Sequence, residues 1–294
     1  MRTYKKALGI SGGGFAIPGL AGAAEQVLSS GYKPDIISGI SSGSILTFIL
    51  VGSKNPIGVI KANAIGFNSD VAFEHPPMNE KGKITLRAIW TGLRNNYLAS
   101  QDNLEETLKS FVSENEWFDY INNPDSPDAI VIAVDYYTGA RRKYNLRYET
   151  YDNAIKIVRA SSTIPVFADP VYFRDDMLYD GGVRNHIPTE WVLENYEDIE
   201  ETVSIFSRPA DFAKIKAEDD LDGLVSVLLR TLQIMEYEIS KSNERMADLI
   251  CETRGIKSSN IYLPSLLKDA YDINHQAQME LYNAGKANAK SAGF

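Results

Sequence analysis

Ser41 lies in the string Gly39-Ile40-Ser41-Ser42-Gly43, which fits G-x-S-x-G, the pattern of a nucleophilic serine on a cramped turn between a strand and a helix. Glycine on both sides removes side chains that would collide in such a turn. The setting agrees, since Ile36-Ile37 leads in like a strand and the apolar run from Ile45 to Leu50 leads out like a buried helix. A helix starting just after Ser41 would aim its free amides at charge developing beside the serine. A serine hydroxyl is inert near neutral pH without a base in reach. The chain has three histidines, His75, His186 and His275, of which a conventional triad would need one; the other source of a base is a carboxylate. Asp180-Gly181-Gly182 follows the apolar stretch from Met177 to Tyr179, and paired glycines let the backbone turn sharply so that the acid faces a cleft. Ser11-Gly12-Gly13-Gly14 stands between a strand and a helix start, where unhindered N–H groups can cradle a phosphate or a tetrahedral oxyanion. It is not a P-loop, for it lacks Gly-Lys-Ser/Thr, nor the dinucleotide fingerprint, for Ile17 stands where the third glycine would.

The elements that must position these residues follow from hydrophobic periodicity. Residues 6–11 read as a buried strand, 20–28 as a helix begun near Pro18, 35–41 as a second strand and 42–51 as a buried helix. Strand, helix, strand, helix is the mark of a parallel α/β sheet. Further helices are expected over 56–66, 84–98, 104–112, 151–161 and 189–195, and strands over 128–135, 143–147, 170–173, 177–179 and 202–207. From residue 221 apolar side chains (Leu224, Leu228, Leu232, Met235, Ile239, Met246, Leu249) recur near the helical period, which predicts one long helix laid on the core or offered to a membrane or partner. A last helix is expected over 276–287. The reading is a single domain over 1–294, with a helical cap inserted at about 56–125 and a helical C-terminal extension from about 219.

Composition narrows the function classes. With 30 Lys and Arg against 39 Asp and Glu, the net charge is -9. Nucleic-acid binding needs a basic face, so it is excluded from the expected partners. The single cysteine, Cys251, rules out an intramolecular disulfide and a cysteine-rich zinc site, and no His, Cys or carboxylate pair has a recognisable ligand spacing. No apolar run reaches the roughly 18 to 20 residues that span a bilayer. Arg2, Lys5 and Lys6 before a small-residue stretch resemble a secretory signal, but Ser11-Gly12-Gly13-Gly14 breaks the apolar helix such a signal requires. The expected setting is cytoplasmic, with transient peripheral contact at a membrane.

Taken in order, the glycine loop, the elbow, the segment Ala160-Ser161-Ser162-Thr163-Ile164-Pro165 and Asp180-Gly181-Gly182 resemble the patatin-like phospholipase family. The resemblance runs from about Lys6 to Ser207. It implies a three-layer α/β fold, with a mostly parallel central sheet flanked by helices. It implies Ser41 as nucleophile and Asp180 as its dyad partner, an oxyanion hole of amides around Gly12, Gly13 and Gly14, and an elbow shaped by Gly39 and Gly43. It implies a membrane lipid or other acyl ester as substrate and no metal or organic cofactor. Two positions depart from the family pattern. Phe15-Ala16-Ile17-Pro18 stands where a cation is usual after the glycine loop, and His186 stands where asparagine usually precedes x-Pro. His186 is therefore a structural replacement or a group open to proton transfer or headgroup contact. The acyl pocket is expected to draw its walls from Phe15, the cap between Phe67 and Leu98, and Phe167. A soluble ester or acyl thioester as substrate, and a non-catalytic binding module, remain the competing readings.

Overall fold

The structure, a computed structural model, describes residues 3–79, 84–212, 223–264 and 274–294. Its first half runs β1 (Lys6–Ile10), α1 (Ile17–Ser29), β2 (Ile36–Gly39), α2 (Ser42–Gly52), α3 (Pro56–Asn63), α4 (Ser69–Ala72), α5 (Leu86–Arg94), α6 (Asp102–Phe111), α7 (Glu114–Asn122), β3 (Asp128–Asp135) and β4 (Arg141–Asn145). It continues with α8 (Tyr151–Ser161), β5 (Val171–Phe173), β6 (Asp176–Asp180), α9 (Thr189–Asn195), β7 (Glu201–Phe206), α10 (Gly223–Arg254), β8 (Lys257–Tyr262) and α11 (His275–Ser291).

Among the described residues the strands form one sheet in the order β5-β6-β3-β2-β1-β7-β8, with β4 on β3. The central pairs β3-β2, β2-β1, β1-β7 and β7-β8 are parallel, whereas β4, β5 and β6 join antiparallel. Side chains alternate across a strand, and here both faces are covered. Leu8, Ile10, Ile37, Val131 and Ile205 pack beneath α1, α2 and α8, while Ala7, Ile36, Ile130 and Ile132 face Trp191 and Val192 of α9 and Cys251 of α10. The result is the expected three-layer α/β sandwich with a mostly parallel centre. Strands buried on both sides are why these segments read as continuous apolar runs.

Three departures from the expected elements have local causes. The strand expected over 143–147 begins at Arg141 and ends at Asn145, because the Asn145 side chain caps a 3-10 turn over Leu146–Tyr148. The helix α7 was not anticipated, although Ser113 and Glu116 make a complete capping box at its start, a signal present in the sequence. The C-terminal region is not wholly helical, since β8 extends the sheet beside β7. Its polar sequence Lys-Ser-Ser-Asn-Ile-Tyr suits a half-covered edge and carries no strong strand period. The long helix is present as α10, but the side chains of Leu224, Leu228 and Leu232 lie outside the described residues. No described helix is long and apolar enough to cross a membrane.

Candidate active site

The sheet register brings the site together. On β3, Val131 pairs with Gly39 on one side and Tyr144 on the other, and Ala133 pairs with Asp180 on one side and Arg142 on the other. Since β4 occupies one edge of β3 from Ile130 to Val134 and so overlaps the pairings of both, β2 and β6 must take successive stretches of the opposite edge. Counting on from Gly39 opposite Val131, Ser41 arrives at the level of Ala133, where Asp180 already stands. Two residues 139 positions apart in sequence thus meet at the end of β2, where the Ser41 side chain helps hold the Asp180 carboxyl down against its burial.

Ser41 has φ 53° and ψ -129°, a backbone conformation that costs an L-residue free energy and persists only where surroundings enforce it. They do so here. A side chain on Gly39 would stand 2.2 Å from the Gly43 carbonyl oxygen, and one on Gly43 would stand 2.3 Å from that of Ile10, so the turn closes only with glycine at both places. The Ser41 amide donates to Ser161 Oγ at 3.0 Å, and Ser161 Oγ donates to the Ile132 carbonyl at 2.7 Å. The Ser41 carbonyl accepts from Ser44 Oγ at 2.6 Å and Ser162 Oγ at 3.1 Å. The next residue, Thr163, accepts the Asp180 amide on its carbonyl at 2.8 Å. Three successive residues at the C-terminal end of α8, Ser161, Ser162 and Thr163, therefore hold the serine and the aspartate in one frame. In the sequence this segment stands out only as part of the motif order. Ser161→Ala removes the acceptor of a buried amide, which costs about 1–3 kcal/mol. We expect that loss in urea denaturation, with at least about a tenfold fall in kcat on p-nitrophenyl butyrate and little change in KM.

Asp180 is buried at the end of β6, and burial is the main influence on its carboxyl, raising it to about 6. The hydrogen bonds from Ser41 and from the Gly182 amide, the latter at 2.7 Å, oppose that rise. His186 is buried nearby, with its Nδ1 lacking a hydrogen-bond partner among the described residues. Burial first, then the Arg208 charge, pulls its imidazole down to about 4, which leaves it neutral near pH 7. Asn243 of α10 accepts the His186 amide at 3.0 Å and donates to Glu190 at 2.7 Å, a brace the sequence did not reveal. His75 lies in a loop beside Glu74, and His275 begins α11.

The glycine loop follows β1. The Gly12 amide is engaged, donating to the His186 carbonyl at 3.3 Å. The Gly12 carbonyl accepts from Ser11 Oγ at 2.8 Å and from Ser207 Oγ. A trans peptide points its N–H opposite its C=O, so anchoring that carbonyl turns the Gly13 amide to the other side. A side chain on Gly12 would stand 3.1 Å from Ser41 Cβ, which shows how closely the loop passes the serine. Ser41 also caps α2, all eleven residues of which are buried, so the positive end of that helix adds to the local field.

Beside Ser41 opens a cavity of about 740 Å³. Phe15, Phe67, Phe73 and Phe167 line it with Ile45 and Leu104, and Asp70 is the charged side chain among the described lining residues. Phe15, Phe67 and Phe167 are the walls expected from sequence; Phe73 lies within the expected cap, whereas Ile45 comes from α2.

Residues 8–193 match the family model described as patatin-like phospholipase. A relative from Invertebrate iridescent virus 6, described as probable lipid hydrolase 463L, is 25% identical over 198 residues, which cover 65% of this chain and 64% of that protein. The chain thus spans under two thirds of that relative's length. The crystal structure of VipD from Legionella pneumophila superposes with a TM-score of 0.50 at 14% identity, covering 99% of this chain and 67% of VipD. At that identity the likeness concerns the fold.

Proposed function

Since the chain belongs to the patatin-like phospholipase family, we propose that it hydrolyses carboxylic esters of membrane lipids through Ser41 and Asp180. The observation that carries the reading is the register that sets Ser41 against a buried aspartate whose carboxyl is raised to about 6, beside a cavity with phenylalanine walls. Ser41 Oγ attacks the acyl carbonyl carbon, forming the Oγ–C bond of a tetrahedral intermediate, while its proton passes to Asp180. With the Gly12 amide held by the His186 carbonyl, the Gly13 amide is the foremost donor that stabilises the oxyanion. The carbon–oxygen bond to the glycerol or headgroup side then breaks, and the alcohol leaves with the proton from Asp180. Water repeats the sequence on the acyl-enzyme, returning Ser41 and releasing a fatty acid. A carboxylate and a hydroxyl are poorly matched in pKa, and burial narrows that gap by raising the carboxyl. In this reading His186 is a neutral wall behind the pair, and the cap of residues 56–125 covers the acyl cavity.

The test is release of free fatty acid from phospholipid vesicles compared with turnover of soluble p-nitrophenyl butyrate. Rates that climb when the lipid is presented as a bilayer support lipid hydrolysis. Turnover of the soluble ester alone returns the assignment to a soluble-ester hydrolase, and absence of both removes the enzymatic reading. The pH profile provides a second check. Only ionised Asp180 accepts the proton, so kcat/KM should fall tenfold per pH unit below about 6 and level off above it. A profile flat from pH 5 to 8 would take Asp180 out of the rate law.

A further inference from the structure

Helix α5 is turned inside out for a helix on a protein surface. Leu86, Ile89, Trp90 and Leu93 fall at the i, i+3, i+4, i+7 spacing of one helical face. That face looks outward, with Leu86 78%, Trp90 63% and Leu93 75% exposed. The inward face is made of small residues. Ala88 is buried and Thr91 half-buried, while Gly92, itself exposed, passes so near the segment leaving the helix that a side chain there would stand 2.9 Å from Leu98. Burying bulky apolar residues is the usual reason a helix packs on a core, so leaving them in water while small ones pack points to an apolar surface outside the molecule.

We infer that α5 is the element by which the protein docks on an anionic lipid bilayer, lying in the plane of the interface. Three observations select a bilayer over other apolar partners. Arg87 and Arg94 flank the apolar stripe, and residues 84–101 contain no carboxylate, in a chain of net charge -9. An apolar stripe edged by arginine is the pattern of interfacial helices, and Trp90, with the Arg94 guanidinium 5.9 Å from its ring centroid, is the side chain that favours the headgroup level. The helix is also continuous with the acyl cavity. Its cap residue Thr85 lines that cavity and is tied to the Pro77 carbonyl at 3.0 Å. The chain leaving it donates from Leu98 to Val166 at 2.9 Å and from Ala99 to Phe167 at 3.1 Å. Docking through α5 sets the cavity rim on the membrane, where an acyl chain can enter. The inference rests on the lipid-hydrolase reading for its purpose, but its test does not need hydrolysis.

Of the three tryptophans, Trp117 and Trp191 are buried, so a change in emission on adding vesicles reports Trp90. On the Ser41→Ala protein, which leaves the lipid intact, vesicles of phosphatidylcholine with phosphatidylserine should shift emission to the blue, and bromolipids at about 5–10 Å depth should quench it. Leu86→Ser/Leu93→Ser should weaken vesicle binding at least tenfold. Arg87→Gln/Arg94→Gln should weaken it on the order of 30-fold on anionic vesicles and little on neutral ones. Both pairs, introduced with Ser41 intact, should keep wild-type turnover of p-nitrophenyl butyrate, which verifies the fold. Unshifted emission, or binding that survives Leu86→Ser/Leu93→Ser, overturns the inference. So does a wild-type dimer in sedimentation that this pair dissociates, which would give the face to a second copy. If the soluble ester is not turned over while vesicles still bind through α5, the hydrolase reading fails and the docking helix stands.

Discussion

Ser41→Ala is expected to end covalent labelling by a fluorophosphonate probe and to lower ester turnover by about 10⁴-fold or more, with thermal stability nearly unchanged. The rate loss is large because the bond-forming atom itself is removed, and residues acting as one unit lose most of their effect together. Stability is retained because the contacts that hold the elbow go through the Ser41 backbone, to Ser161, Ser162 and Ser44, and alanine keeps them. Alanine does remove one partner that lowers the Asp180 carboxyl, which leaves that group more readily protonated and adds no charge. Mass spectrometry of the probe adduct, with turnover and melting measured on the same samples, checks all three. Labelling that persists in the variant assigns the nucleophile elsewhere.

Asp180→Asn separates chemistry from stability in the opposite direction. An amide cannot take the Ser41 proton, so turnover should fall by about 10³-fold or more at every pH. Folding should gain. Burial raises the Asp180 carboxyl from 3.8 to about 6, so the folded chain holds this proton more tightly than the unfolded chain does. The favourable contribution is full below about 4 and is lost as pH rises to about 6. Above that the native protein carries a buried carboxylate at a constant cost of about 3 kcal/mol. Asparagine keeps the acceptor for the Gly182 amide and carries no charge. Urea denaturation at pH 8 should therefore find the variant more stable by up to about 3 kcal/mol, with the gap shrinking as pH is lowered toward 4. Equal stability at both pH values would mean that the site holds the carboxylate without penalty.

Much of the site is legible before any coordinates because it is local. The turn at Ser41 needs glycine at 39 and 43 for contacts made within a few residues or with the neighbouring β1, and such needs leave a pattern in the sequence. The same holds for the loop of Gly12, Gly13 and Gly14, for the acid before paired glycines, and for α7, whose cap of Ser113 and Glu116 is a local pattern. The buried strands were legible because both faces of a parallel sheet are covered, which makes the run apolar without a break.

What sequence could not supply are facts made by contact between distant segments. Ser161 and Thr163 hold Ser41 and Asp180 through a hydroxyl and a carbonyl whose partners are chosen only when β2 and β6 share one edge of β3. Asn243 reaches His186 from 57 residues away, and nothing around it marks it. The orientation of α5 is the clearest case. Periodicity determines that it has an apolar stripe, but the same stripe would serve a core or a membrane. Only packing decides which side turns inward, and here the side of Ala88 is buried while Leu86, Trp90 and Leu93 stay in water. Residue types thus determined which chemistry and which elements the chain can form. Tertiary structure decided which groups meet and which faces stay in water, because those depend on register and close packing between segments that no local pattern encodes.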